Sequence, residues 1–425
     1  MFVGIDDTDS REGMCTTYIA ARLFHRFKES AVGLPWLVRL NPNIRYKTRG
    51  NGAVVVEIGR PGEVDSAVLE EQPDEEYYEA FQGVIEFALD LVSRYSVTSD
   101  NTNPGVVFSR RKLPGKLYRD ALYREISIDE VKELLKTEGA RYHTGGNGRG
   151  IIGASAAIAW PGSRHTYEAI NYFYPHGRQR GLDEKMSIAG EVNMARGTFD
   201  SIDNRNRRAA IFPKERTPVV YGIRGIDPES IQKIAEYINT KYSIESEMIT
   251  VFKSNQGTDD HIVSDPVVLD ELGSYSVRCR VAEVPHSGNG GHYFFKAMHK
   301  GEPINFAAFE PTKEFRSLVR RLVPGDLMVG FGSYLDKTIN LERLSLESAA
   351  VVYMRNAPQC SKCRKPMSNH GSGDFRCRSC GTADHIPSYS KIERDLLEGD
   401  YEVPVSARRH LSMPLVLKEG GRLRI

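Results

Sequence analysis

Cys360-Ser-Lys-Cys363 and Cys377-Arg-Ser-Cys380 constrain this chain more than any other feature. Each Cys-x-x-Cys makes a tight knuckle that aims two thiolates at one point. Two knuckles on a short hairpin close a tetrahedron suited to Zn²⁺. Six cysteines in 425 residues are too few for a disulfide scaffold, so the pairs read as metal ligands in a reducing cytoplasm. Four thiolates leave no open coordination position, which makes the site a structural zinc ribbon and not a catalytic centre. His370 and His385 lie nearby as surplus groups. Lys362, Arg364, Lys365, Arg376 and Arg378 surround the site and read either as a solvated surface or as phosphate contacts. Lys+Arg (57) and Asp+Glu (56) balance to a net charge of +1, which excludes a uniformly basic protein but not a local basic face. No apolar run approaches about 20 residues. The start, Met1-Phe-Val-Gly-Ile-Asp-Asp, has no positive segment before a long apolar stretch, so a secretory signal is not expected.

The length predicts two to four domains. Residues 1–161 read as an α/β unit. Strands are expected at Phe2–Ile5, Leu34–Leu40 and Ala53–Ile58, and helices at Thr16–Phe27 and from about Glu75 to Arg94. Pro161-Gly162 marks the first boundary. Residues 162–265 carry a βαβ rhythm, with strands at Pro218–Ile223 and Met248–Phe252 around a helix capped by Asp227 and Pro228. That pattern fits a small α+β, ferredoxin-like unit. Residues 270–350 hold five expected strands with a helix, Thr312–Leu322, between the third and fourth. This is OB-fold order, with an SH3-like barrel as the alternative. Residues 355–425 hold the ribbon and a basic tail. The fold class is therefore multidomain, mixing α/β and α+β units.

Asp6-Asp7-Thr8-Asp9 crowds three carboxylates at the end of the first strand. Such groups repel unless a cation sits between them. Mg²⁺ held by carboxylates and substrate phosphates is one answer, and a simple turn-and-cap cluster is the other. Gly13-Met-Cys-Thr16-Thr17 follows at a helix start, where free N–H groups attract phosphate. Thr16 or Thr17 caps that helix or accepts a phosphoryl group. Gly145-Gly146-Asn147-Gly148-Arg149-Gly150 and Thr48-Arg49-Gly50-Asn51-Gly52 are glycine-rich loops carrying a cation, read as tight turns or phosphate contacts. Asp259 and Asp260 suit a cationic partner, Arg224 suits a phosphate, and His261 is a candidate base or a plain surface histidine.

Six stretches together resemble one family. They are Gly4-Ile-Asp-Asp-Thr-Asp-Ser10, Gly13-Met-Cys-Thr-Thr17, Lys47-Thr-Arg-Gly-Asn-Gly52, Gly145-Gly-Asn-Gly-Arg-Gly-Ile-Ile-Gly153, Tyr221-Gly-Ile-Arg-Gly225 and Asn255-Gln-Gly-Thr-Asp-Asp-His261. The chain resembles, along its whole length, the archaeal agmatidine synthetases that modify the wobble cytidine of an isoleucine tRNA. The resemblance implies a kinase-like N-terminal domain, a ferredoxin-like domain, an OB fold and a zinc ribbon. It implies that ATP breakdown to AMP is coupled to joining agmatine to the 2-carbonyl carbon of the cytidine. By motif, the family's metal-binding aspartates fall on Asp6, Asp7 and Asp9 (Mg²⁺), and its autophosphorylated threonine on Thr16. ATP, Mg²⁺ and Zn²⁺ are the implied cofactors, and an isoleucine tRNA with a CAU anticodon is the implied partner. Arg49, Gly146, Asn147 and Arg149 are expected to contact the ATP phosphates. Agmatine needs carboxylates and an aromatic wall for its guanidinium, a role expected of Tyr221, Asp259 and Asp260. Tyr293 and Phe294 are expected either as stacking platforms for RNA bases or as barrel core. The tail Ala407-Arg-Arg-His410 is expected to be solvated or to reach the acceptor stem. A non-catalytic RNA-binding scaffold and a tRNA ligase using another amine are the competing readings.

Overall fold

A computed structural model of the chain describes residues 1–10, 12–47, 50–59, 74–96, 101–174, 184–213, 216–371 and 373–418. Arg49 lies outside the described residues.

The first strand, β1 (Phe2–Asp6), shows why the N-terminal unit is a sheet covered on both faces. Alternate strand residues point to opposite sides. Val3 and Ile5 join a core with α1 (Thr16–Arg26), while Phe2 belongs to a second core with Trp36. The next strands, β2 (Trp36–Arg39) and β3 (Gly52–Glu57), divide in the same way: Val54 and Val56 face the first core, Ala53 and Val55 the second. Two apolar faces require helices on both. The first face is covered by α1, α2 (Asp74–Ala80) and α3 (Gln82–Tyr95). The single helix expected over 75–94 is thus two. It breaks at Phe81, which leaves helical geometry (φ −110°, ψ 13°) and buries its ring in the core.

The rest of this unit comprises β4 (Gly105–Ser109), α4 (Gly115–Tyr123), α5 (Ile128–Thr137), β5 (Arg141–Thr144) and α6 (Gly150–Ile158). Helices α4, α5 and α6 cover the second face. The Gly-Ala-Ser composition of α6 lets its backbone lie close to β1 and β4, and almost all of it is buried.

The second unit runs β6 (Thr166–Tyr172), α7 (Lys185–Met194), β7 (Thr198–Phe199), β8 (Val219–Gly225), α8 (Pro228–Lys241) and β9 (Met248–Ser254). Asp227 accepts a hydrogen bond from the Ser230 N–H and Pro228 stands in the first turn, so α8 starts where its sequence predicts. Pro161-Gly162 does not separate two sheets. Strand β9 pairs in parallel with β2 through Lys253–Trp36 and Ser254–Leu37, giving one nine-stranded sheet in the order β5-β4-β1-β3-β2-β9-β6-β8-β7. Just past that short pairing, the Asn255 amide accepts from the Arg39 N–H (2.7 Å) and donates to the Arg39 carbonyl (2.8 Å), extending the ladder with a side chain.

The third unit is a closed barrel of β10 (Ser274–Val281), β11 (Tyr293–His299), β12 (Glu302–Ala308), β13 (Leu327–Leu335) and β14 (Thr338–Ser348). The strands run β10-β13-β14-β12-β11 and close again on β10 at Arg280–Met298, with β12 and β14 parallel. The helix between the third and fourth strands, α9 (Glu314–Val319), is shorter than expected because a 3₁₀ turn occupies Glu310–Thr312.

The ribbon follows, and the chain then returns to the barrel, where β15 (Gly399–Glu402) pairs with β14. The tail expectation is corrected here. Arg408 is buried in ion pairs with Asp200 and Glu402, Arg409 donates from Nε to Glu342 (2.9 Å), and Leu411 enters the second core of the N-terminal unit. These cations are spent inside the molecule and do not form a solvated arm. Among the described residues, no helix is long and apolar enough to cross a membrane.

Candidate functional site

Strand β1 ends at Asp6 because Asp7 turns the chain with a left-handed backbone (φ 56°). Strict alternation would have sent Asp6 and Asp7 to opposite faces; the turn instead brings Asp6, Asp7 and Asp9 onto one cavity of about 600 Å³. That volume is ordinary for a ligand site. Asp6 faces α6, and only a glycine fits opposite it: a Cβ at Gly153 would lie 1.8 Å from Asp6 Oδ2. Burial, then the neighbouring Asp7, pushes the Asp6 carboxyl well above the usual carboxylate range. Burial lifts Asp7 to about 6, even though Asn103 donates its backbone N–H to Asp7 Oδ2 (3.0 Å). Burial makes the charge costly on Asp6 and Asp7, and Asp9 adds a third carboxylate to the same cavity. Among the described residues only the ribbon cysteines bring three or more such ligand atoms within 4.8 Å of one another, so the aspartates share the cavity without closing on one point.

Thr16 opens α1 and lines the same cavity. The capping expectation is not met. Cys15 occupies the cap position and makes no side-chain cap bond, while the Thr16 hydroxyl accepts from Thr8 Oγ1 (3.0 Å). Arg149 also lines the cavity, at the start of α6, with its guanidinium 3.9 Å above the Tyr46 ring and 3.3 Å from Glu125. Gly150 and Gly153 of α6 share that wall, but the first N–H groups of the helix are already donated: Gly150 to the Asn103 carbonyl (3.1 Å), Ile151 to Gly148 and Ile152 to Arg149.

Gly146 and Asn147 are not in the cavity wall. The Asn147 amide oxygen accepts from the Arg149 N–H (3.0 Å), and the Asn147 N–H donates to Asn103 (2.9 Å), so both build the loop. The three residues expected at a guanidinium pocket are also placed elsewhere. Tyr221 is fully buried and donates to Ala235 O and Asn239 on α8, on the helix side of the sheet. Asp259 pairs with Arg343 (2.6 Å) and caps Met413 N (2.7 Å). Asp260 accepts from Tyr118 (2.8 Å). Each is committed to a structural partner. His261 is buried near Glu342, away from the cavity.

Four cavity groups have no counterpart among the sequence expectations or only a faint one: Arg39, Glu168, Arg208 and His410. Arg39 and Glu168 sit inside otherwise apolar strands, a signal readable in Trp36-Leu-Val-Arg39 and Glu168-Ala-Ile170. His410 comes from the returning tail and carries no such signal.

The ribbon cysteines stand apart from this cavity. Their four Sγ atoms lie within 4.8 Å of one another, with close pairs at 3.4, 3.4 and 3.7 Å. A tetrahedron with Zn–S bonds of about 2.3 Å has edges of about 3.8 Å, so the cluster fits Zn²⁺. Arg364 (φ 58°) and Gly381 (φ 74°) take the same left-handed turn four residues after Cys360 and Cys377. His385 is bonded to Asp374 (2.7 Å) and is not a ligand. In the barrel, Phe295 is core, Tyr293 packs partly on it, and Phe294 meets His286, His292 and Phe309 at the surface.

Residues 2–146 match the TiaS TCKD domain family, residues 148–261 the TiaS FLD domain family, and residues 357–396 the TiaS C-terminal zinc ribbon domain family. Over its whole length the chain is 40% identical to the isoleucine-tRNA 2-agmatinylcytidine synthetase TiaS of Thermoplasma volcanium, covering 99% of that protein. It is 37% identical to the Methanosarcina mazei synthetase, again over 100% of this chain and 99% of that one. A crystal structure of TiaS in complex with its isoleucine tRNA and ATP is similar at a TM-score of 0.83 and 35% identity, covering 100% of this chain and 97% of that one. A complex of TiaS with the tRNA, AMPCPP and agmatine gives 0.78 and 31%, with the same coverage. With this level of identity along both full lengths, the chain belongs to the TiaS family of isoleucine-tRNA 2-agmatinylcytidine synthetases.

Proposed function

We propose that the chain is an ATP-dependent ligase that joins agmatine to the 2-carbonyl carbon of the wobble cytidine in an isoleucine tRNA, through a phosphorylated cytidine, with AMP as the nucleotide product. The observation that carries this reading is the convergence of Asp6, Asp7, Asp9 and the Thr16 hydroxyl on one cavity of about 600 Å³. A scaffold that only grips RNA has no use for costly carboxylates beside a hydroxyl.

The chemistry follows from the leaving group. A carbonyl oxygen leaves poorly. Phosphorylating it lets the C2–O bond break with one phosphate departing, as the primary amine of agmatine adds to C2 and gives up a proton. The second phosphoryl lost between ATP and AMP passes finally to water, so one water enters and two phosphates leave. Asp6, Asp7 and Asp9 would hold Mg²⁺, which supplies positive charge against the triphosphate. The Arg149 guanidinium offers donors to phosphate oxygens beside them. Thr16 is the proposed phosphoryl acceptor, a role its position at the cavity wall supports. Tyr118, Asn255 and Asp260 act as scaffold: Asn255 donates to the Tyr118 hydroxyl (2.7 Å), which in turn donates to Asp260.

The units are read as a kinase-like domain (1–161), a ferredoxin-like domain (162–265), an OB fold (270–350) and a zinc ribbon with the following segment (355–425). The barrel's closure order and the helix between its third and fourth strands support the OB reading.

The test is nucleoside mass spectrometry of the isoleucine tRNA after incubation with ATP, Mg²⁺ and one amine. Agmatine should add at the wobble cytidine with AMP released, whereas lysine, spermidine and putrescine should not. Thr16→Ala should lose turnover; full turnover in that variant would remove Thr16 from the phosphoryl path.

A further inference from the structure

The cavity that holds the acidic turn also holds two arginines with most of their donors unspent. A guanidinium has five N–H donors. Among the described residues, Arg39 uses one, to the Gly50 carbonyl (3.1 Å), and its buried Nε has no partner. Arg224 uses one, from Nη2 to His410 Nδ1 (3.1 Å). The acids near them do not satisfy the rest. Glu168 lies 4.0 Å from Arg39 and 3.6 Å from Arg224, outside hydrogen-bond reach, and its Oε2 already accepts from Gln256. Asp200 is 3.7 Å from Arg224 and is held directly by Arg408. Strand β8 is built for this arrangement: Gly222 passes so close to Glu168 that a Cβ there would lie 2.6 Å from Oε1.

His410 sits between the two guanidiniums. The charge of Arg39, then burial, then Arg224 holds its imidazole well below the ordinary histidine range, so it stays uncharged and is not a third cation. Its Nδ1 lies 3.1 Å from Arg224 Nη2 and 3.0 Å from the Gln256 amide oxygen. Two partly buried forks with open donors, facing a cavity and lacking a carboxylate within hydrogen-bond reach, are suited to a phosphate group. The ATP phosphates have their own provision at the acidic turn and the Arg149 guanidinium. The second phosphate in reach of this reaction is the diester that flanks the target nucleotide.

We propose that Arg39 and Arg224 form a phosphodiester-binding subsite that seats the RNA backbone beside the target nucleotide, with His410 as its floor. This inference rests on the tRNA-modifying reading of the same cavity. It assigns the basic wall to the polynucleotide and not to ATP.

The test is equilibrium binding of the isoleucine tRNA and, separately, of a non-hydrolysable ATP analogue to full-length Arg39→Gln, Arg224→Gln and the charge-keeping Arg39→Lys and Arg224→Lys proteins. Neither measurement needs amine or turnover, so it succeeds or fails independently of agmatidine formation. Each Gln variant should weaken tRNA binding about tenfold and lower the slope of log K against log salt by about 1, with ATP-analogue binding unchanged. The Lys variants should keep the slope and lose part of the affinity, because charge remains without the fork. A second arm leaves the protein intact: the same tRNA carrying an uncharged methylphosphonate next to the wobble nucleotide should bind wild-type protein about tenfold more weakly. An unchanged slope together with unaffected methylphosphonate binding would overturn the subsite. So would a loss confined to the ATP analogue.

Discussion

Gly153 and Asp6 belong to different elements, yet each fixes the other. Within α6 an alanine would ordinarily improve on glycine by about 1 kcal/mol. Here the added methyl would overlap the Asp6 carboxylate. Gly153→Ala should therefore keep a melting temperature within a few degrees of wild type while losing on the order of 100-fold in agmatidine formation, the size of effect seen when one transition-state contact is removed. Parallel melting curves and single-turnover assays check this; near-normal turnover would mean that Asp6 tolerates displacement. Single residues also set the limit of what could be read from sequence. Asp6-Asp7-Thr8-Asp9 stands out in the sequence as three acids in four residues, open to a metal or a turn-and-cap reading, but their placement on one cavity depends on the backbone conformation of Asp7 (φ 56°). Tyr221, Asp259 and Asp260 are polar groups within or just after strands. Such residues acquire structural partners as easily as ligands: Tyr221 reaches Asn239, Asp259 reaches Arg343, and Asp260 reaches Tyr118.

Elements declared themselves where local chemistry was strong. The Asp227-Pro228 start fixed α8, and alternation at Val277, Cys279 and Val281 fixed the inner face of β10. Pairing between distant strands did not show. Nothing in Lys253 or Trp36 announces the two-residue parallel register that joins the first two units into one sheet. The ribbon is the element whose cause is most local. Its own core is small, made of Cys360, Met367, Phe375 and Cys377, with Cys363 packed on it. So little apolar surface cannot hold a fold without the metal. The hydroxyl of Thr382 already draws the Cys380 thiol down, favouring the thiolate a metal needs. Stripping zinc with a chelator should release one zinc per chain and raise hydrogen exchange across 357–386 toward unfolded rates, while the nine-stranded sheet stays protected. Uniform loss of protection would show that the ribbon supports the whole chain.

At the scale of the molecule, the segment after the ribbon ties the units together. Ser406 donates to Asp203, Gly257 donates its N–H to the His410 carbonyl (2.8 Å), Asp259 donates its N–H to the Leu411 carbonyl (2.9 Å), and Arg409 reaches both Glu342 and Asn43. Glu342 is the barrel's anchor in this tie. Burial alone would raise its carboxyl, but the charge of Arg409, then His261 and the Ser412 hydroxyl, outweigh that and hold it at about 2, against an ordinary 4.5. An acid with a depressed folded value contributes its stability fully above the ordinary value and loses it as pH falls from about 4.5 toward 2. The full shift corresponds to about 3 kcal/mol. Denaturant titrations should show wild type losing stability across that window and Glu342→Gln losing about 3 kcal/mol less there; equal slopes would place the acid sensitivity elsewhere. None of this tie was legible in a tail that reads as solvated or as reaching the acceptor stem, because its partners lie in the units before the ribbon.

The central claim is that a divalent cation gathered by the acidic turn places ATP beside Thr16. Crystals grown with Mn²⁺ and a non-hydrolysable ATP analogue, with data collected at the manganese edge, test it most directly. The account predicts one anomalous peak coordinated by the Asp6-Asp7-Asp9 turn and by the analogue's phosphates, in the cleft that Thr16 lines. Nucleotide and manganese bound elsewhere, with those carboxylates bare, would contradict it.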